Sequence, residues 1–331
     1  MLQQNHALSL EGSRFDTESI EYIEIVEREL FSILSDSKGP IREMCHHIMK
    51  AGGKRIRPLL VLRSGLAFSQ QSDELIYAAA AAELIHMASL VHDDIIDESP
   101  LRRNKPSINQ VWGNHYAVLC GDYLFAKAFG ILSSNRLMRS MDYMVRAIES
   151  MCQGEILQAG DRFNSNVSMK SYYERISKKT AIFLECCCRS GASVAGTDSS
   201  GSKIIGEYGL NIGLAFQIID DILDFCGDEN IMGKPKGEDL RQGIITMPMI
   251  FLQRDNKYRM WISQLMRNKK ITDKEINEIC FELNRTGCIK ECFKVAEAHI
   301  NKAKYCIRCI PGNEHTDFLN NLADVLGERI N

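Results

Sequence analysis

The stretch Leu84-Ile85-His86-Met87-Ala88-Ser89-Leu90-Val91-His92-Asp93-Asp94-Ile95-Ile96-Asp97 decides how this chain is read. Its apolar residues recur at helical spacing, and it closes on carboxylates at the first, second and fifth places of a short acidic pattern. In an α-helix the first and fifth places lie about 40° apart around the axis and ~6 Å apart along it, so Asp93 and Asp97 point the same way. The pattern returns at Asp220-Asp221-Ile222-Leu223-Asp224, again at the end of an apolar helical stretch. Carboxylates this close repel one another unless a cation neutralises them. Hard oxygen donors of this kind suit Mg²⁺, which commonly bridges protein carboxylates to phosphate oxygens. Two such clamps predict a diphosphate held through metal ions.

Around these clamps helical spacing runs almost throughout, from a stripe of Ile20, Ile23, Val26, Leu30, Phe31 and Leu34 to Leu326, and alternating strand patterns are essentially absent. Helix ends are marked by Gly52-Gly53, Ser72 before Asp73 and Glu74, Pro100 to Pro106, Gly160, Ser168, Gly201, Gly227 to Gly237, Thr272 and Gly287. The reading is an all-α fold of ten or more helices. No Ser/Gly-rich linker or change of composition divides the 331 residues, so a single domain over 1–331 is the simplest organisation. A hydrophobic content of 45% supports a large core, and a net charge of −3 gives no reason to expect a nucleic-acid partner. The first 20 residues carry charges and read as neither a secretory signal nor a transit peptide. No uninterrupted apolar run approaches the roughly 20 residues that span a bilayer, and a cytoplasmic location is expected. The 12 cysteines, set in apolar helical sequence, read as reduced buried thiols. Cys186-Cys187-Cys188 fits helix packing. Cys306-x-x-Cys309, near Cys288 and Cys292, falls in continuous helix and not in the turn-rich setting of a zinc or iron–sulfur knuckle.

Phosphate needs fixed positive groups and backbone amides, and Gly52-Gly53-Lys54-Arg55-Ile56-Arg57-Pro58 offers both beside a predicted helix start. In isolation such a cluster reads equally well as a solvated basic face. His86 stands two turns before Asp93, within reach of a phosphate held by that cluster, though a lone histidine in Leu-Ile-His-Met is more often core. Arg102 and Arg103 follow the first clamp closely enough to face two neighbouring phosphate groups. Lys179-Thr180 and Gln217 place polar groups inside apolar helices, and Lys234 follows the second clamp in a glycine-rich loop.

With both clamps, these segments and Gly154-Glu155-Ile156 and Phe216-Gln217-Ile218-Ile219-Asp220-Asp221, the chain resembles the trans-polyprenyl diphosphate synthases from about Gly52 to Pro248. The resemblance implies the isoprenoid synthase fold, a helical bundle around a central catalytic cavity. It implies that Asp93 and Asp97 bind two Mg²⁺ ions and Asp220 a third, and that Arg102, Lys179, Thr180, Gln217 and Lys234 help hold an allylic diphosphate. Lys54, Arg57, His86 and Arg103 would hold isopentenyl diphosphate. The implied catalytic set is Asp93, Asp97, Lys179, Asp220 and Lys234, acting by stabilising charge on the leaving diphosphate. The allylic cation is then attacked by the double bond of isopentenyl diphosphate, and proton loss completes one elongation. A terpene cyclase would not need the second cationic set, and a non-catalytic partner subunit would tend to lose the acidic motifs.

Ser89 and Ala88, four and five residues before Asp93, lie one turn deeper on the same helix, where the family's short-chain enzymes often carry an aromatic residue. Ile85 and Ala81-Ala82 lie deeper still. Small residues there imply an open tunnel and a medium or long product, although alanines also allow close helix packing. Within the family the chain is most similar to the catalytic component of heptaprenyl diphosphate synthase and to octaprenyl and nonaprenyl diphosphate synthases. That implies a homodimer, or a heterodimer with a smaller regulatory subunit, a quinone side chain as destination, and transient membrane contact for product release. Two departures from the family pattern are Asn104 for glycine and Ile244 for lysine.

Overall fold

The computed structural model describes residues 17–70, 72–103, 105–227 and 235–328. In chain order the helices are α1 (Thr17–Ser35), α2 (Pro40–Ala51), α3 (Ile56–Leu66), α4 (Asp73–Ile96), α5 (Ile108–Trp112), α6 (Asn114–Ser134), α7 (Met138–Gly160) and α8 (Met169–Ile176). A π-helical turn, Ser177–Ala181, leads into α9 (Ile182–Val194), followed by α10 (Ser199–Cys226), α11 (Glu238–Arg241), α12 (Met247–Leu252) and α13 (Asn256–Asn268). The last three are α14 (Asp273–Arg285), α15 (Cys288–Arg308) and α16 (Glu314–Glu328). The all-α expectation is met.

The helix ends show the local causes. Ser168 accepts from the Ser171 N–H at the start of α8, and Thr272 with Glu275 closes a reciprocal capping box on α14. Gly287, in the left-handed region at φ 78°, opens α15. Gly201 does not end a helix. It lies in the first turn of α10, where its N–H donates to the Asp198 side chain at 2.8 Å, so the break belongs to the capping aspartate. Against the expectation of no strands, Leu101–Arg102 pairs antiparallel with Lys105–Pro106 in a two-stranded ribbon after the first clamp. Two residues per strand are too few to give a sequence period.

The described residues form two compact units, and α7, α9, α10 and α16 contribute residues to both. The first unit comprises Met1–Arg146, Cys186–Ile205 and Ile310–Leu319. In it α4 packs along α6 and against α3 and α1. The α4 core face is nearly continuous from Leu75 through Ala78–Ala82 to Leu84, Ile85 and Ala88, and α6 answers with Ala117, Cys120, Leu124, Ala128 and Leu132. Each large aliphatic side chain so buried contributes roughly 1.5–3 kcal/mol. Arg63 of α3 is wholly buried in this unit. It donates to Glu18 Oε2 at 2.5 Å, Ser19 Oγ at 2.7 Å and His315 Nδ1 at 2.9 Å, and its guanidinium lies against the rings of Tyr22 and Phe318.

The second unit comprises Ala147–Glu185, Gly206–Cys309 and Asn320–Asn331. Tyr208, Ile212, Ala215, Ile219 and Ile222 form the buried stripe of α10 there, and α12 packs on α15. Cys186, Cys187 and Cys188 are fully buried in the first unit, as expected of packing thiols. Cys288, Cys292 and Cys306 are buried along α15, while Cys309 is exposed at its end. By length and composition alone α4 and α6 could each cross a membrane, although Glu83 interrupts the apolar run of α4 and Asp122 and Lys127 that of α6. The α4 segment is mostly buried inside the protein and ends on two carboxylates, as a core helix does.

Candidate active site

In the first unit α4 carries Glu83, His86 and the first clamp. The helix stops at Ile96, and Asp97 caps it with its N–H donating to the Asp93 carbonyl at 2.8 Å, so the four-residue spacing survives the helix end. A helix C-terminus is the negative end of the macrodipole, and carboxylates gathered there deepen that potential until a cation relieves it. For Asp94 the cation is Arg102, whose Nε and Nη2 donate to Asp94 Oδ1 at 2.9 and 2.5 Å. Asp94 is buried, so this is a structural pair, and it engages the arginine expected at the allylic diphosphate. Asp93, half-buried, and Asp97, exposed, are hard oxygen donors whose spacing and charge fit a divalent cation.

The ribbon sets the next residue. His47 Nε2 donates to the Pro106 carbonyl at 2.6 Å, and the Lys105 ammonium donates to the Lys50 carbonyl, which tethers the ribbon to the end of α2. Arg103, at the turn, thereby reaches Gly53, where a Cβ would stand 2.5 Å from Arg103 Nη1. A side chain there would have to push the tip of Arg103 aside. Arg55 is the left-handed N-cap of α3 at φ 51°, and it turns inward to Glu27 at 3.1 Å and Glu83 at 2.5 Å. Arg57 Nη1 donates to His86 Nε2 at 3.1 Å. Burial pushes the His86 imidazole well below its usual value, with Arg57, Arg103, Arg55 and Arg102 adding to the shift. His86 is therefore neutral, with its proton on Nδ1 as the remaining donor. Burial also lowers Arg103, Arg55 lowers it further, and Glu83 opposes them. Lys54 is exposed beside this group, and Gly52, Arg55, Glu83, Asp94, Arg102 and Arg103 share one cleft. Cations that destabilise one another in a cleft are stabilised by an anion.

In the second unit the π-turn presents Lys179 and Thr180. Such turns interrupt α-helices chiefly at functional positions. It is seated on backbone: a Cβ on Gly154 of α7 would lie 2.6 Å from Lys179 N, and one on Gly213 of α10 would lie 2.5 Å from Ala181 Cα. Lys179 Nζ meets Glu155 Oε1 at 2.6 Å. The Thr180 hydroxyl donates to Gln217 Oε1 at 2.8 Å, Gln217 Nε2 donates to Asp221 Oδ1 at 2.9 Å, and the Tyr172 hydroxyl donates to Asp221 Oδ2 at 2.7 Å. Burial pushes the Asp221 carboxyl up to about 8, Asp239 adds to the rise, the donors Gln217 and Tyr172 hold it down, and Asp220 raises it again. Asp220 is half-buried beside it on α10, nearly two turns before the helix ends at Cys226. Lys234 and Asn104 lie outside the described residues.

The sequence model of the polyprenyl synthetase family matches residues 38–283. The chain belongs to the polyprenyl synthetase family. This synthetase is a prenyltransferase. It is 35% identical over 304 residues to heptaprenyl diphosphate synthase component 2 of Geobacillus stearothermophilus, covering 92% of this chain and 94% of that one. It is also 32% identical over 314 residues to geranylgeranyl diphosphate synthase of Saccharolobus solfataricus, covering 91% and 94%. Its fold superposes with a TM-score of 0.87 on the crystal structure of polyprenyl synthase from Caulobacter crescentus complexed with calcium and isoprenyl diphosphate. That pair is 31% identical over 94% of this chain and 96% of the other.

The synthetase fold thus gathers Lys54, Arg57, His86, Arg103, Asp93 and Asp97 in one unit, and Lys179, Thr180, Gln217 and Asp220 in the other. Sequence reasoning missed the roles of Glu83 and Tyr172, which carry no motif of their own, and of Asp94, whose place in the first clamp did not reveal its arginine partner. Glu155 was visible inside Gly154-Glu155-Ile156, without a partner to give it meaning. Ile85 and Ala88 are fully buried in the α4 core face, and Ser89 is half-buried with its hydroxyl donating to the His86 carbonyl at 2.9 Å. Ile244, in place of lysine, is buried.

Proposed function

We propose that this synthetase elongates an allylic diphosphate, farnesyl or geranylgeranyl, with successive isopentenyl diphosphates to a medium- or long-chain trans-polyprenyl diphosphate destined for a quinone side chain. The observation that carries the reading is the crowding of Arg57, Arg102 and Arg103 around the neutral His86, where cations that destabilise one another call for an anion in addition to the one held through the carboxylates. A single-substrate enzyme has no use for it. Lys54, Arg57, His86 and Arg103 hold isopentenyl diphosphate, with His86 Nδ1–H as a neutral donor. Asp93, Asp97 and Asp220 hold Mg²⁺, three ions in all, which neutralise the departing diphosphate when bound. Arg102, Lys179, Thr180, Gln217 and Lys234 attend the allylic diphosphate, with Lys179 leaving Glu155 for it and Arg102 reaching it beside Asp94.

Small residues at Ala88 and Ser89, with Ile85 below, support the longer product. The likeness to a geranylgeranyl diphosphate synthase supports a shorter one, and product size separates the two. Both units act as one domain, since four continuous helices contribute residues to each. The enzyme works in the cytoplasm, as a homodimer or with a smaller second component. The partner reading is supported by the relative called component 2 and by Tyr116, Val118 and Leu119 standing exposed on α6.

Purified protein incubated with Mg²⁺, farnesyl diphosphate and labelled isopentenyl diphosphate is expected to yield products beyond geranylgeranyl length, alone or with a small subunit. A product ending at geranylgeranyl overturns the long-chain reading. No elongation under either condition overturns the synthase reading.

A further inference from the structure

We propose that Tyr172 and Asp221 are positioning residues that orient the Gln217 amide toward the allylic diphosphate. The inference rests on the reading that Gln217 and Thr180 serve that substrate, and it adds two residues with no contact to it. Gln217 is held at both ends: Oε1 accepts the Thr180 hydroxyl at 2.8 Å, and Nε2 gives one proton to Asp221 Oδ1 at 2.9 Å. An amide nitrogen has two protons, so the second is left with a fixed direction. Gln217 is only half-buried, so that donor has access to a ligand, whereas Asp221 behind it is buried.

Asp221 is itself held by the Tyr172 hydroxyl at 2.7 Å, on the carboxylate oxygen that Gln217 does not use. The tyrosine cannot swing. Its ring is fully buried, with the Arg175 guanidinium 5.6 Å from its centroid and Tyr173 set edge-on at 5.8 Å. Arg175 is fixed in turn by donating to the Ile245 carbonyl at 2.6 Å. A rigid ring, a buried carboxylate and a half-buried amide therefore run in series from the packed core to the site. Such backing is what holds a polar contact within the few tenths of an ångström that catalysis requires.

The test is a double-mutant cycle on the full-length protein. Tyr172→Phe keeps the ring and removes one donor, so the melting temperature should stay close to that of the parent. Its kcat is expected to fall about tenfold, the scale of leaving one buried polar group without its hydrogen bond, with KM for isopentenyl diphosphate unchanged. In a Gln217→Ala background the same change is expected to cost less than about twofold, because a residue acting through another loses its effect when the other is gone. Asp221→Asn serves as a second probe with the same expected coupling. Equal losses in both backgrounds, or no loss in the parent, overturn the proposal. The cycle is repeated on Mg²⁺-dependent binding of farnesyl thiodiphosphate, so a parent that binds without elongating refutes the synthase reading and still tests the relay.

Discussion

Asp93 and Asp94 are neighbours in sequence and differ in every other respect. Asp94 is buried and satisfied by Arg102, whereas Asp93 stands half-buried with Asp97 one turn on. If Asp93 holds a cation as proposed, its removal takes away a ligand without opening the core. Asp93→Ala should therefore leave the melting curve nearly intact while turnover falls by about 10³-fold, the scale of losing a main electrostatic stabiliser; radiolabel incorporation measures the loss. His86 shows what burial does to a single residue: ringed by arginines it stays neutral, so in the proposed role it would meet a phosphate as a donor and not as a charge.

At the scale of elements, the π-turn between α8 and α9 and the core face of α4 each depend on small residues. A methyl group added at Gly213 would sit 2.5 Å from Ala181 Cα, and backbone cannot yield as a flexible side chain does. Gly213→Ala should cost about 1–3 kcal/mol, read as an earlier urea midpoint, and turnover should fall because Lys179 and Thr180 are displaced. An unchanged midpoint would show that α10 does not seat the turn. Ala88 is fully buried on α4, so Ala88→Phe should lower stability by a similar ~1–3 kcal/mol. If the tail descends along α4, it should also shorten the product. Chromatography of dephosphorylated products decides this, and an unchanged chain length refutes the tunnel reading.

At the scale of the whole molecule, stability should depend on pH below neutrality. His299 is buried, and burial chiefly, with Lys302 adding, lowers it from 6.5 to about 4. His86 is lowered in the same direction. Between the unfolded and folded values the unfolded chain binds the proton and the native one does not, so stability is full above about pH 6.5 and falls as the pH drops toward 4. His299→Asn should flatten the melting temperature across that window by ~5 °C, whereas a parallel displaced curve would refute the assignment. The helical class, most helix ends, both acidic clamps and the basic cluster are legible along the chain, because helix period, capping residues and local charge are properties of sequence neighbours. It took the folded chain to pair Arg102 with Asp94, to turn Arg55 inward to Glu27 and Glu83, to set Lys179 on a π-turn and to stand Tyr172 behind Asp221. Those choices depend on which buried charges and donors meet across different helices, and no spacing along one helix encodes a partner on another.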